Sequence, residues 1–229
     1  MIKLKIQVSK DAHGKIINRS SDELGLPKGE TVELALDSEY QLILDQELDA
    51  ARIKANAKGA MAVLTDADTG EILAMSQSPS YNFNEPAKDS KNEMKNLLVE
   101  AVFEPGSIMK PIVTAQAIEL GLTTPDEIIF CENGSYSYGK RVVHDVHPYG
   151  KLSVHDIVVR SSNIGMTKLG HRFGITKLYQ TMLDFGFGIP TNLGLDGESR
   201  GILRKPKNWY PIDVATHSYG QGVSVTPLQ

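Results

Sequence analysis

The sequence predicts a mixed α/β (α+β) domain, on three observations. Two strand-like runs come early. Helical periodicity fills the middle. The apolar runs found leave much of the expected sheet unaccounted for. The composition, 41% hydrophobic and 23% charged over 229 residues, is that of a globular chain. It allows one large domain, or a domain with a small appendage. A net charge of −4 offers no basic surface, so nucleic acid is not an expected partner. One cysteine, Cys131, excludes an internal disulfide framework and a cysteine zinc cluster. No apolar run approaches the ~18 residues needed to span a bilayer, so the chain as it stands is expected to be soluble.

Residues 1 to 36 alternate apolar and polar positions (MIKLKIQV) and are rich in turns (DAHGK, LPKG). They predict a short β-rich appendage, the end of a small N-terminal region, leaving residues 37 to 229 as the main domain. Ser38 and Gln41 match a capping box that opens a helix. Leu44, Leu48, Ala51 and Ala55 give that helix one apolar face, and Gly59 is expected to end it. Two apolar runs flanking Asp66 to Gly70 predict a hairpin. The DADTG turn lacks the Gly and Glu that a calcium loop needs at its sixth and twelfth positions, where Glu71 and Gln77 stand. Residues 77 to 96, rich in Pro, Ser, Asn and Lys, predict a long surface loop. A helix follows from near Ser107 to Gly121. Ser153 and Asp156 predict another cap, and SSNIGMTKLGHRFG and ITKLYQTMLDFGFG read as two short helices closed by glycines. Thr226-Pro227 reads as an N-cap and first helical residue.

The chemistry centres on EPGSIMKP, residues 104 to 111. Ser107 and Lys110, three apart, share a helical face, close enough for the amine to reach the hydroxyl. Pro111 is comfortable only if its helix starts near Ser107. That puts Ser107 at a helix N-terminus, where free N–H groups and the dipole favour negative charge. The same field, with burial, lowers the pKa of Lys110 and suits it to act as a neutral base. S-x-x-K alone is a weak signal. SYGK, Ser137 to Lys140, also matches, but it has no helix to sit on. On spacing alone, a helix cap and a solvated lysine is the plainer reading. RSSNIG, residues 160 to 165, adds Ser161 and Asn163, a hydroxyl and an amide in a loop able to reach Lys110, although a simple helix-ending turn explains it too. His144, His147 and His155, with Asp145 and Asp156, raise a metal reading. H-x-x-H spacing on a non-helical stretch carries little weight, and they read as surface histidines. Cys131 reads as buried or semi-buried, Trp209, Tyr210 and Pro211 as packing against the loop after Gly201, and Glu104 as structural.

Together these segments resemble the class B penicillin-binding proteins, whose motif set is S-x-x-K, S-x-N and K-T-G. EPGSIMKP resembles the first motif and RSSNIG the second. DADTGEILAMSQSPSYNFNEP, FGFG…TNLGLDGESRG and SYGQGVSVTPLQ resemble further family segments, in order, from about Val32 to Gln229. DGESRG and HDVHPYGKLSVHDIVVRSSN resemble the division (septal) type more than the elongation type. The resemblance implies a penicillin-binding-protein/serine β-lactamase-like transpeptidase fold. It implies Ser107 as acylated nucleophile, Lys110 as its proton acceptor and Ser161 as proton relay to the leaving group. Asn163 would bind Lys110 and the substrate amide, and the Ser107 N–H would form half of an oxyanion hole. It implies peptidoglycan stem peptides and β-lactam antibiotics as ligands, a partner glycosyltransferase, and a membrane-anchored extracytoplasmic location for the full-length family. It implies no metal and no other cofactor. A β-lactam sensor, a β-lactamase (whose class A pattern has S-D-N) and a non-catalytic module of the cell-wall machinery are the competing classes.

K-T-G and K-S-G do not occur in the sequence. The expectation is therefore an incomplete domain that stops before its third motif and lacks an anchor. Such a piece would be weakly active and poorly stable alone.

Overall fold

The computed structural model describes residues 33–81 and 95–229, together with His13. The appendage expected over residues 1 to 36 and the loop expected over 77 to 96 fall mostly outside the described residues. Leu36–Gln229 form one compact unit.

Helix α1, Ser38–Lys54, starts one residue earlier than the capping-box reading placed it. Its N-cap is Asp37, whose carboxylate accepts from Glu39 N (2.8 Å) and Tyr40 N (3.1 Å). An anion at this position also meets the positive helix end. Gln41 is drawn away to the neighbouring strand, where it donates to Met75 O and accepts from Met75 N, both at 3.0 Å. Asp45 takes the Ser76 hydroxyl and Asp49 the Ser78 hydroxyl, each at 2.5 Å. The row Gln41, Asp45, Asp49 thus docks α1 by polar bonds. The apolar face expected from Leu44, Leu48, Ala51 and Ala55 does not form a core, since Ala51 and Ala55 are exposed and no residue of α1 is buried. The helix ends on Asn56 in the left-handed region (φ 49°), before Gly59.

Strands β1, Ala60–Thr65, and β2, Ile72–Ser78, pair antiparallel from Ala60↔Ser78 to Leu64↔Ala74, as the apolar runs predicted. Asp66 closes their turn by accepting from Asp68 N (2.9 Å) and Thr69 N (2.8 Å). A one-turn helix, α2 (Leu97–Glu100), packs on this hairpin with Leu98 and Val99 buried.

The larger part is helical. A 3₁₀ turn, Gly106–Ile108, leads into α3, Met109–Glu119. After it come two small antiparallel pairs. One joins β3, Ile128–Phe130, to β6, Lys151–Ser153. The other joins β4, Ser135–Tyr138, to β5, Arg141–His144. Helix α4, Val154–Val159, is capped by Ser153, whose hydroxyl accepts from Asp156 N at 3.0 Å. The two helices expected after it form the run α5, Asn163–Asp184, in which Gly174 (φ 66°, ψ 173°) leaves helical geometry and separates the first helix from the second, as its sequence position predicted. The core is Met109, Val113 and Ala117 of α3, Ile157 of α4, and Ile164, Met166, Leu169, Phe173, Leu178 and Met182 of α5. Val214 and Tyr219, from α6 (Pro211–Ser218) and its cap, belong to it too, as do residues of the small strand pairs such as Ile129, Val143 and Leu152, and Cys131, which is fully buried. A Cβ on Gly170 would lie 2.6 Å from Ser218 Cβ, so glycine sets how closely α5 and α6 cross.

Trp209 packs as expected, donating to Arg204 O at 2.7 Å, but Tyr210 points outward and is 67% exposed. Thr226 and Gln229 exchange reciprocal bonds, Thr226 N to Gln229 Oε1 at 3.0 Å and Gln229 N to Thr226 Oγ1 at 3.2 Å, the pattern of a capping box. Among the described residues, no helix is long and apolar enough to cross a membrane.

Candidate active site

Gly106, at φ 60°, turns the chain into the 3₁₀ segment that carries Ser107. Ser107 is exposed in the first turn of this segment, where backbone N–H groups have no intrahelical partner. Ile108 points out at 70% exposure, and Lys110, on the opposite side of the turn, is 1% exposed. Gly220, just past α6, holds this turn from behind. Its carbonyl accepts the Gly106 N–H at 2.9 Å. Glu104 adds a second tie by accepting from Gly222 N at 2.8 Å, so its structural reading stands.

The second sequence motif arrives from the α4–α5 junction. Ser161 N–H bonds to Val158 O and Ser162 N–H to Ile157 O, which ends α4 with Ser161 in the left-handed region (φ 57°). A non-glycine residue held there costs about 1–3 kcal/mol, maintained by the packing on either side. Ser162 then caps α5, its hydroxyl accepting from Gly165 N at 2.9 Å. This sharp junction leaves the Ser161 hydroxyl and the Asn163 amide on the side of α3.

All four residues meet. Lys110 Nζ donates to Ser161 O (2.6 Å), Ser161 Oγ (2.8 Å) and Asn163 Oδ1 (2.8 Å). Ser161 Oγ is 3.0 Å from Ser107 Oγ. An ammonium has three donors, and here they go to Ser161 and Asn163. The direct Lys110–Ser107 contact suggested by the i, i+3 spacing is thereby replaced by a link through Ser161 Oγ. Burial pushes the Lys110 pKa down from 10.5 to about 8, while Asp145 pulls it the other way. A neutral amine keeps two N–H donors for Ser161 O and Asn163 Oδ1 and turns its lone pair to the Ser161 hydroxyl. The two hydroxyls, whose protons rotate to suit, can then run Ser107 O–H to Ser161 Oγ and Ser161 O–H to Lys110 Nζ.

Sequence reading missed three contributors. Asp145 accepts from Ser162 Oγ (2.6 Å), Asn163 N (2.5 Å) and Ile164 N (3.0 Å). The His144 carbonyl accepts from Asn163 Nδ2 at 3.0 Å. The third is the Gly220 seat. The S-S-N repeat of small polar residues before a helix was the available signal for Ser162 as a cap; nothing local marked Asp145. The other S-x-x-K match, Ser137 and Lys140, lies in the β4–β5 hairpin and not on a helix, as expected. No group of three His, Cys, Asp or Glu able to hold a metal occurs among the described residues. His147 lies edge-on to Tyr149, and His155 is an exposed neighbour of Asp156.

A helix-tip serine and a buried lysine facing an S-x-N turn define a serine–lysine site. Comparison with known proteins gives its family. Residues 60–229 match the penicillin binding protein transpeptidase domain. Over 224 residues the chain is 36% identical to the probable peptidoglycan D,D-transpeptidase PenA of Neisseria meningitidis (serogroup A), covering 97% of this chain and 38% of that protein. It is 36% identical over 222 residues to the peptidoglycan D,D-transpeptidase FtsI of Escherichia coli K12, covering 97% and 37%. A crystal structure described as a peptidoglycan glycosyltransferase from Burkholderia ambifaria superposes with a TM-score of 0.77 at 34% identity, covering 85% of this chain and 57% of that one. The chain therefore belongs to the penicillin-binding protein transpeptidase family, of class B, and has its fold. It spans 38% and 37% of the length of these two curated relatives.

Proposed function

We propose that this chain carries the acyl-serine centre of a peptidoglycan D,D-transpeptidase. The observation that carries the reading is the continuous hydrogen-bonded path from Ser107 Oγ through Ser161 Oγ to a buried Lys110. Ser107 Oγ attacks the carbonyl carbon of the D-Ala–D-Ala bond. Its proton passes to Ser161 Oγ as the Ser161 proton passes to neutral Lys110. The tetrahedral oxyanion forms beside the amides of the Ser107 turn. It collapses with cleavage of the C–N bond, and the leaving D-Ala amine takes a proton back through Ser161. An amine from a neighbouring stem peptide then attacks the acyl-serine ester, releasing Ser107 and forming the crosslink. Asn163 holds Lys110 and offers its amide edge to the acyl side of the substrate. β-Lactams enter as mimics of the same amide, and their ring opening keeps the leaving group tethered.

Relatives named peptidoglycan D,D-transpeptidase PenA and FtsI support the substrate class and the division-type assignment. An extracytoplasmic location at the bacterial membrane and a glycosyltransferase partner follow from the same reading. The division into a β-rich appendage over residues 1 to 36 and a transpeptidase part over 37 to 229 goes with it. The test is the intact mass of the chain after incubation with benzylpenicillin, beside Ser107→Ala. A gain of one penicillin that the variant loses is expected. A wild-type adduct that persists in Ser107→Ala would put the nucleophile elsewhere.

A further inference from the structure

We propose that Asp145 is a positioning residue for this site: its carboxylate locks the first turn of α5 so that Ser161 and Asn163 converge on Lys110, and it places a negative charge against Asn163, the residue whose amide oxygen accepts from the Lys110 amine. The acylation arm of the argument rests on the transpeptidase reading; the geometry does not. Asp145 follows β5 directly and reaches across to the start of α5. One oxygen takes Asn163 N (2.5 Å) and Ile164 N (3.0 Å), and the other takes Ser162 Oγ (2.6 Å). Asn163 N and Ile164 N are among the donors that a helix start leaves free. The preceding carbonyl, His144 O, takes Asn163 Nδ2 at 3.0 Å, so Oδ1 is the amide atom presented to Lys110. The β4–β5 hairpin thereby fixes both the backbone and the amide orientation of Asn163. A neutral polar cap would satisfy the backbone as well. What the carboxylate adds is charge.

The titratable groups at this junction come from four elements. Lys110 is on α3 and Asp145 follows β5. Cys131 follows β3, with its Sγ 3.5 Å from Ser162 Oγ. Burial pushes the Cys131 thiol up, so it stays neutral. Lys168 of α5 also acts on Cys131, but it is engaged by Glu132 at 2.6 Å. Asp145 is the charged group acting on Lys110 and holds its pKa above where burial alone would leave it. An anion stabilises the ammonium, so removing the charge lowers the Lys110 pKa and makes the amine neutral at lower pH.

The experiment is a ¹³C NMR titration of Lys110 in the full chain, assigned with Lys110→Arg. Asp145→Asn and Ser162→Ala are compared with wild type. Asp145→Asn is expected to move the Lys110 midpoint down by about 1 pH unit. Ser162→Ala, which removes the bond to Asp145 and the α5 cap on Gly165 N but keeps the charge, is expected to leave it in place. Where Asp145→Asn fails to melt cooperatively, Asp145→Ser, which also lacks the charge and can accept from a backbone N–H, is titrated instead. A folded charge-free variant whose Lys110 titrates with or above wild type overturns the proposal. So does a Ser162→Ala shift as large as that of Asp145→Asn, because the effect would then be structural. The rate of acylation by a fluorescent penicillin against pH gives the second readout, its rising limb moving down in Asp145→Asn. Absence of any wild-type acylation would count against the transpeptidase reading and leave the titration to decide the role of Asp145.

Discussion

Replacing Gly220 by alanine tests whether the turn after α6 seats Ser107. A Cβ at Gly220 would lie 2.0 Å from the Gly106 carbonyl oxygen, 2.6 Å from its nitrogen and 2.7 Å from its carbonyl carbon. Unstrained carbon contacts need about 3.5 Å, so the two backbones must part by about 1 Å or more. The 2.9 Å bond from Gly106 N to Gly220 O crosses the same junction and goes with it. Its loss costs about 1 kcal/mol. Alanine at φ +81° adds about 1–2 kcal/mol. The total is about 2–3 kcal/mol before any residual overlap. A displacement of about 1 Å at a reacting group costs about 10²-fold in rate. The control is Gly139→Ala, whose φ of +61° carries the conformational cost but whose Cβ would meet nothing within 4 Å. The assays are thermal melting by circular dichroism and the initial rate of acylation by a fluorescent penicillin. Gly220→Ala is expected to melt below Gly139→Ala and to acylate about 100-fold more slowly. If the two variants match in both measurements, the seating argument is wrong.

Two further outcomes follow from titrating groups. With the Lys110 pKa at about 8, the neutral amine falls tenfold per unit of acidification below that point. Acylation should rise about tenfold from pH 6 to 7 and level off above 8; a flat profile would remove Lys110 as the base. His217 is fully buried, with Nε2 unpartnered among the described residues, and burial holds its pKa at about 4 against 6.5 for the free group. The unfolded chain therefore binds a proton that the folded chain refuses. Stability should fall as pH drops from 6.5 to about 4, by roughly 3 kcal/mol in all, and no further on this account. His217→Gln should flatten that limb in urea melts at pH 7 and 4.5, whatever its effect at neutral pH.

Local signals in the sequence were enough for much of this protein. The hairpin around Asp66 to Gly70 was legible because turn chemistry and strand alternation act over a few residues. The helix starting beside Ser107 was legible because Pro111 and Pro105-Gly106 restrict the backbone whatever surrounds them. The Ser153 cap was legible for the same reason. The two motifs, Ser107 with Lys110 and Ser161 with Asn163, could be picked out, and the resemblance said they belong together. Errors came where a tertiary partner outbid a local one. Gln41 left its expected cap for Met75. The supposed apolar face of α1 gave way to a polar row that bonds β2.

The site itself was decided by tertiary structure. Spacing alone places Lys110 near Ser107, but only the approach of the α4–α5 junction supplies the acceptors that occupy the amine and interpose Ser161. Burial of Lys110 is likewise a property of the packed helices, and it is burial that lowers its pKa. Asp145 and Gly220 stand 38 and 113 residues from Ser107 along the chain, and no short-range pattern marks either as its neighbour. The sequence by itself determined which side chains could do the chemistry and where helices could begin, because those depend on covalent geometry and near neighbours. Which hydroxyl meets which amine, and at what protonation, depended on the low-dielectric contact of α3 with the α4–α5 junction, which exists only once the chain has folded.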